Sequence, residues 1–134
     1  MIMNDSMPPS VIIPELAYPD VREAVEWLCR SFGFVERLRI GNHRAQLLFG
    51  QGSVIVTGQG SDHSASSSVL VRVDDVGNHY EHAKQVGARI LSLPADYPYG
   101  ERQYTVEDLA GHRWTFSQTI ADIDPKTCGS TLFK

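Results

Sequence analysis

The side chains that could carry chemistry in this 134-residue chain are scattered, and no pair of them has the spacing of a nucleophile and its base. His43 is a candidate general acid or base, because an unperturbed imidazole titrates near a pKa of about 6.5. It has no carboxylate partner visible in the sequence, so a hydrogen-bonding role at the rim of a site is the alternative. The other histidines are predicted to lie in a linker (His63), on the polar side of a helix (His79 and His82) and in a hairpin turn (His112).

Composition narrows the classes of function. A net charge of −4 and a pI near 5.7 argue against a nucleic-acid groove, which needs a basic stripe to displace counterions. Residues 1–10 lack the basic and apolar regions of a secretion signal, and no run approaches the roughly 20 apolar residues of a membrane span. Two distant cysteines, Cys29 and Cys128, favour free thiols over a disulfide framework. We therefore expect a cytoplasmic protein with no nucleic-acid or membrane partner.

The predicted strands and helices that would position a site occur twice along the chain, in the same order. Each half reads as a strand, a helix and three further strands, with Asp-Val opening the helix (Asp20 and Asp75) and glycine closing it (Gly33 and Gly87). Asp20 is predicted to cap the first helix with Glu23 three residues later. The predicted organisation is an N-terminal tail (1–10), a first module (11–58), a Gly/Ser-rich linker (59–67), a second module (68–118) and a C-terminal tail (119–134).

Several short motifs invite a family comparison. They are Pro19-Asp20-Val21, the run from Trp27 to Phe34, Tyr99-Gly100-Glu101-Arg102, Glu107-Asp108 and Gly111-His112-Arg113-Trp114. In this order, and on duplicated modules, they resemble the vicinal oxygen chelate superfamily, which includes glyoxalase I, bleomycin-resistance proteins and extradiol dioxygenases. The resemblance covers residues 11–118. It implies an α+β fold of two tandem βαβββ modules, whose curled mixed sheet surrounds a cup with the helices on the outer face, and it implies a homodimer.

The same resemblance implies four inward positions where metal-dependent members hold a divalent ion. In this chain they are occupied by Ile13, Val56, Ser68 and Thr115. None is a usual ligand, since zinc and iron sites take His, Cys or carboxylate side chains. We therefore expect no metal and no other cofactor. A slip of one residue in a strand would change which side chains face inward, with Glu15 and His43 nearby.

Strand alternation from these four positions predicts the rest of the inner surface. On the first module it predicts Glu15, His43, Ala45, Leu47 and Val54; on the second, with Glu107 paired to His112, it predicts Arg72, Arg102, Tyr104, Val106 and Arg113. Trp114 and Phe116 are predicted to pack against the helices. Tyr97 and Tyr99 either wall the mouth of the cup or pack on the end of the sheet. The candidate ligand-binding set is Glu15, His43, Arg72, Tyr99, Arg102, Tyr104, Arg113 and Thr115.

Clustered arginines favour an anionic or polar ligand, because an arginine offers two parallel donors to a carboxylate or phosphate. The alternative is that Arg72 pairs with Glu15 and that the other two reach Glu101, Glu107 or Asp108. These features favour a metal-free protein that binds a small, anionic or aromatic molecule without changing it. The alternative is an enzyme of the same superfamily, a lyase, isomerase or dioxygenase, with His43, Glu15 or Tyr104 as acid or base or with non-standard metal chemistry.

Overall fold

Both halves of the chain form the same elements in the same order in a computed structural model that describes residues 2, 4–58, 67–129, 131 and 133. The first unit, residues 1–67, holds β1 (Glu15–Tyr18), α1 (Val21–Phe32), β2 (Val35–Ile40), β3 (Arg44–Phe49) and β4 (Gly52–Gly58). The second unit, residues 68–134, holds β5 (Ser68–Arg72), α2 (Val76–Gln85), β6 (Arg89–Tyr97), β7 (Glu101–Glu107), β8 (Arg113–Thr119) and a short 3-10 helix (Pro125–Cys128). The expected α+β fold of tandem βαβββ modules is confirmed.

Each unit contains one four-stranded mixed sheet with the same strand order. The orders are β1-β4-β3-β2 and β5-β8-β7-β6, with the first and last strands of each module paired in parallel. Residues 59–66 of the expected linker, including His63, lie outside the described residues. Among the described residues, no helix has the length and apolar content needed to cross a bilayer.

The helix ends form as the repeated Asp-Val motif predicts. The Asp20 carboxylate accepts from the Glu23 amide at 3.1 Å, and Asp75 accepts from the Asn78 amide at 3.0 Å. Gly33 ends α1 in the left-handed conformation, with φ of 87°. These caps fix the point at which each opening strand turns into the helix that covers its sheet.

The first helix buries one face of the first sheet, and that face includes several residues expected on the other side. Leu16 and Tyr18 of β1 are buried there, and strand pairing places Ala45, Leu47, Val54 and Val56 beside them. The predicted β3–β4 pairing is correct, but the assignment of Val56 to the inner surface is wrong. Because Glu15 pairs with Ile55 and Ala17 with Thr57, it is the odd-numbered residues of β4 that share a face with Glu15.

The second sheet likewise buries one face beneath α2. Tyr104, Val106, Trp114 and Phe116 are fully buried there, which confirms the packing role expected for the last two. The inward assignment of Arg102, Tyr104 and Val106 is wrong. The β7–β8 hairpin pairs Glu107 with Arg113, one residue beyond the expected His112, so β7 presents its opposite face.

Asp108 explains this register. Its Oδ1 atom accepts from the amides of Ala110 and His112, each at 3.0 Å, and its amide donates to the His112 carbonyl. Residues 108–112 therefore form a five-residue loop in place of the expected four-residue loop at 108–111.

Candidate ligand-binding face of the second sheet

The side of each sheet opposite its helix is called the open face below. On the second sheet it carries Ser68, Leu70 and Arg72 of β5, Arg113, Thr115 and Ser117 of β8, and Glu101, Gln103, Thr105 and Glu107 of β7. The expected inner placement of Ser68, Arg72, Arg113 and Thr115 on one face of their strands agrees with this register. Leu70, on the middle of β5, is 62% exposed and provides an apolar surface among the polar groups of this face.

A directional chain of hydrogen bonds crosses this face. The Tyr99 hydroxyl donates to the Gln103 amide oxygen at 3.2 Å, and the Gln103 amide nitrogen donates to Ser117 Oγ at 3.1 Å. Ser117 Oγ in turn donates to Glu101 Oε1 at 2.6 Å. Because Gln103 accepts through its oxygen and donates through its nitrogen, these two bonds fix the orientation of its amide group and tie it to the Tyr99 hydroxyl.

Two aromatic side chains lie at one end of this series of hydrogen bonds. The rings of Tyr97 and Tyr99 are stacked, with centroids 5.5 Å apart and an interplanar angle of 13°. Tyr97 lies opposite Glu101 in the β6–β7 register, and the two rings are 39% and 50% exposed. They form a partly exposed aromatic surface beside the polar chain.

The open face carries charges of both signs. Hydrogen bonds from Ser117 and Thr119 hold the pKa of Glu101 below its ordinary value, and the nearby Arg72 cation lowers it further. Glu107 lies 3.5 Å from Arg89 in an ion pair. Of the three arginines expected on the inner surface, Arg72 and Arg113 lie on this face together with the carboxylates of Glu101 and Glu107.

Other expected site residues lie elsewhere. Arg102 shares a face with Tyr104 and Gln118, and its Nε atom bonds to Asp96 at 2.6 Å, not to Glu101, Glu107 or Asp108. The Tyr104 hydroxyl lies 2.5 Å from His79 Nδ1 beneath α2, and burial raises its pKa above the ordinary value. The expectation of a solvated His79 is therefore wrong, since its ring also lies 3.9 Å from that of Phe116.

The two candidates of the first module also differ from each other. Glu15 lies on the open face of the first sheet, where Arg44 forms an ion pair with it. His43 is exposed in the turn at residues 41–43, before β3 begins, and its amide donates to the Ile40 carbonyl. His112 stabilises the hairpin as expected, through its bonds to Asp108.

The comparisons with known proteins agree with this architecture. The family model described as Glyoxalase/Bleomycin resistance protein/Dioxygenase superfamily matches residues 11–116. The chain belongs to this superfamily. It is 39% identical to TioX from Micromonospora sp. ML1, with a TM-score of 0.75, over 82% of this chain and 98% of that one.

More distant structures share the fold. A glyoxalase/bleomycin resistance protein/dioxygenase from Nocardioides is 17% identical, with a TM-score of 0.70, over 93% of this chain and 90% of that one. Lactoylglutathione lyase from Agrobacterium tumefaciens is 13% identical, with a TM-score of 0.68, over 84% and 95% of the respective chains. No curated protein matches the chain.

The residues at the superfamily's metal positions do not fit a divalent ion. Ile13 is aliphatic, Val56 lies beneath α1, and Ser68 and Thr115 supply only hydroxyl groups. With the observed register, the open face of β1 and β4 offers Glu15, Ala17, Ile55 and Thr57, which include a single carboxylate, already paired with Arg44. Within the part of the chain that the structure describes, no three His, Cys, Asp or Glu side chains gather as a metal site would require.

Several polar residues of the open faces were missed in the sequence. Gln103 and Ser117 were missed because neither residue type signals a site by itself, and Arg37 and Gln46 of the first sheet for the same reason. Asp108 and Gly111 mark the hairpin loop in the sequence, but they do not fix whether the loop has four or five residues, and therefore they do not fix which face of β7 is open.

Proposed function

We propose that this protein binds a small aromatic organic molecule on the open face of the second sheet, without a metal ion and without chemical change to the ligand. The observation that carries the proposal is the exposed Tyr97–Tyr99 stack, tied to the Gln103, Ser117 and Glu101 chain. A flat ring gains dispersion and quadrupole energy against such a surface, and aromatic pairs contribute about 0.5–1.5 kcal/mol beyond the burial of their area.

The polar groups beside the stack would set the orientation of the ligand. The second N–H of Gln103 and the lone pairs of the Tyr99 hydroxyl lie on the same face as the partly exposed tyrosine rings. Small-molecule sites commonly combine apolar walls with a few fixed polar groups in this way. The carboxylate of Glu101 near Arg72 weakens the attraction of this face for an anion, which favours an aromatic ligand over one that is only anionic.

A thermal-shift screen tests this proposal. Aromatic compounds, and carboxylates and phosphates without rings, are added separately to the purified protein, and the aromatic set is expected to raise Tm. For a hit, Tyr99→Ala should weaken binding about tenfold or more, whereas Tyr99→Phe, which keeps the ring, should weaken it only a few-fold. Equal loss in the two variants would reject the stacking role.

The metal-free part of the proposal has its own experiment. Elemental analysis of protein purified without chelators or metal-affinity resin should find no stoichiometric divalent ion. A bound ion lost together with activity would favour the alternative, a metal-dependent enzyme of the superfamily. Recovery of the bound compound unchanged after long incubation supports the proposal of binding without catalysis. Formation of a new product would reject that proposal.

We also propose that the protein is a homodimer, as its family resemblance implies, and that it is cytoplasmic. Light scattering at micromolar concentration tests the assembly, and a monomer would remove that part of the proposal.

A further inference from the structure

The open face of the first sheet is covered by the chain's own beginning, residues 4–10, named here the N-terminal cover. Its main-chain oxygens accept two hydrogen bonds from the sheet: Arg37 Nη2 donates to the Asp5 carbonyl at 2.7 Å, and Gln46 Nε2 donates to the Ser6 carbonyl at 2.8 Å. At its far end Ser10 Oγ lies 2.7 Å from Ser53 Oγ. Pro8 is buried within the cover, and Gln46 beneath it is 2% exposed.

Arg37 lies on this face beside a β-bulge. Glu36 pairs with Leu47 and Leu38 pairs with Gln46, so Arg37 is the extra residue of β2. Its guanidinium Nη1 atom donates to the Gln46 amide oxygen at 2.6 Å. Arg37 and Gln46 therefore form one rigid donor group whose remaining N–H bonds point at the cover.

The charge of Arg37 is not compensated by its present partners. Its acceptors are the amide oxygen of Gln46 and the carbonyl oxygen of Asp5, both neutral. Glu36 is bound by Arg22 and Arg39, and Glu15 by Arg44, so within the described residues no carboxylate forms an ion pair with Arg37. A half-buried guanidinium bonds more strongly to a carboxylate than to neutral oxygens, because the two partners then carry opposite charges and a carboxylate matches the fork of N–H donors.

We infer that Arg37 and Gln46 form a binding site for an organic carboxylate, and that the N-terminal cover occupies this site in the free protein. A carboxylate in place of the cover would offer charged acceptor oxygens to the same two donors, Arg37 Nη2 and Gln46 Nε2. Binding requires the cover to leave, so the apparent affinity equals the intrinsic affinity multiplied by the fraction of molecules in which the site is open. This site lies on the first module, whereas the face proposed above for the aromatic ligand lies on the second.

The test uses the full chain and benzoate as the probe, with benzamide as its neutral counterpart. Pro8→Gly combined with Ser10→Ala loosens the cover by removing a buried ring and the hydrogen bonds to Ser53 and Gln51. Pro9→Gly is the matched control, because Pro9 is exposed and its change makes the backbone equally flexible. The readout is the NMR signal of the Gln46 side-chain amide, whose nitrogen donates to the cover within this site.

The loosened variant should bind benzoate at least tenfold more tightly than Pro9→Gly, with a shift of the Gln46 amide signal, and should not bind benzamide comparably. Adding Arg37→Met to the loosened variant should abolish that shift. An unmoved Gln46 signal at saturating benzoate in the loosened variant, equal response to benzamide, or binding that survives Arg37→Met would each overturn the inference.

Discussion

The indole Nε1 of Trp114 donates to Asp108 Oδ2 at 3.0 Å, and both side chains are buried. The other oxygen of the same carboxylate accepts hydrogen bonds from two main-chain amides of the loop. This one side chain therefore links the hairpin loop to the core beneath α2. Asp108→Asn puts an NH₂ donor against one of these donors, and we expect a loss of about 1–3 kcal/mol in the free energy of unfolding. Urea unfolding measures it.

Asp124→Asn is the control for that substitution, because Asp124 is exposed and caps only the short 3-10 helix. A deficit no larger than that of the control would show that Asp108 does not hold the hairpin.

The ion pair of Arg22 and Glu36 predicts a pH-dependent stability. Hydrogen bonds from Arg22, at 2.5 Å, and then Arg39 lower the pKa of Glu36 to about 2. Because this folded-state pKa lies below the unfolded value of about 4.3, the stabilisation is complete above that pH and disappears as the pH falls toward 2. After allowance for partial solvent screening, Glu36→Gln should cost about 2 kcal/mol at pH 7 and almost nothing near pH 2.

Denaturant unfolding between pH 2 and pH 7 checks this, with Glu81→Gln on the exposed side of α2 as control. A Glu36→Gln deficit that is constant across the range would contradict the assignment.

Gly100 predicts a steric effect beside the candidate site. Its φ is +86°, and a Cβ there would lie 2.3 Å from the Ala121 carbonyl oxygen, whose segment bonds to the Gly100 carbonyl through the amides of Ile120 and Ala121. Gly87 has nearly the same φ, +85°, but open space around it. Gly87→Ala should cost about 1–2 kcal/mol for the backbone conformation alone, and Gly100→Ala should cost clearly more.

Thermal and urea unfolding of the two alanine variants compares them directly. Equal losses would show that residues 120–121 move away without cost.

The bond of Tyr104 to His79 predicts a loss of stability with a characteristic pH range. Tyr104→Phe should cost about 1–2 kcal/mol, because it leaves His79 Nδ1 without the hydroxyl partner now 2.5 Å away. Burial raises the folded-state pKa of Tyr104, so the native protein loses stability relative to the variant once the pH exceeds the unfolded value of about 10. The deficit of Tyr104→Phe should therefore narrow above that pH.

Chemical unfolding at pH 8 and above pH 10 measures this change, and Tyr80→Phe serves as the control on the neighbouring ring. A deficit that does not depend on pH would contradict the buried-hydroxyl account.

Local sequence patterns were sufficient to predict the order of the helices and strands. The aspartate caps and the apolar spacing of α1 depend on neighbours within four residues, and the sequence shows them directly. Which side chains of a strand face the core depends instead on how that strand pairs with its neighbours. Here Asp108 fixes the pairing of β7 with β8 by accepting hydrogen bonds from main-chain amides, and no residue type reveals those bonds. A miscount of one residue in the loop therefore moved Tyr104 from the core to the open face in the prediction.

The first-module site could not have been predicted in the same way. Arg37 meets Gln46 through the pairing of β2 with β3, and the cover binds through the carbonyl oxygens of Asp5 and Ser6, a group that every residue has. Side-chain identities at residues 4–10 carry no signal for such contacts. The predicted tail at residues 1–10 was an interpretation of polarity alone.

The cover also makes the duplicated modules unequal in how they tolerate change. Gln46, Ser53 and Ile55 on the open face of the first sheet are buried, whereas Ser68, Leu70 and Arg72 on that of the second are exposed. In a saturation-mutagenesis library selected only for folding, the first set should reject most replacements and the second should accept them. We therefore expect the open face of the second module to vary more in sequence among related proteins than that of the first module.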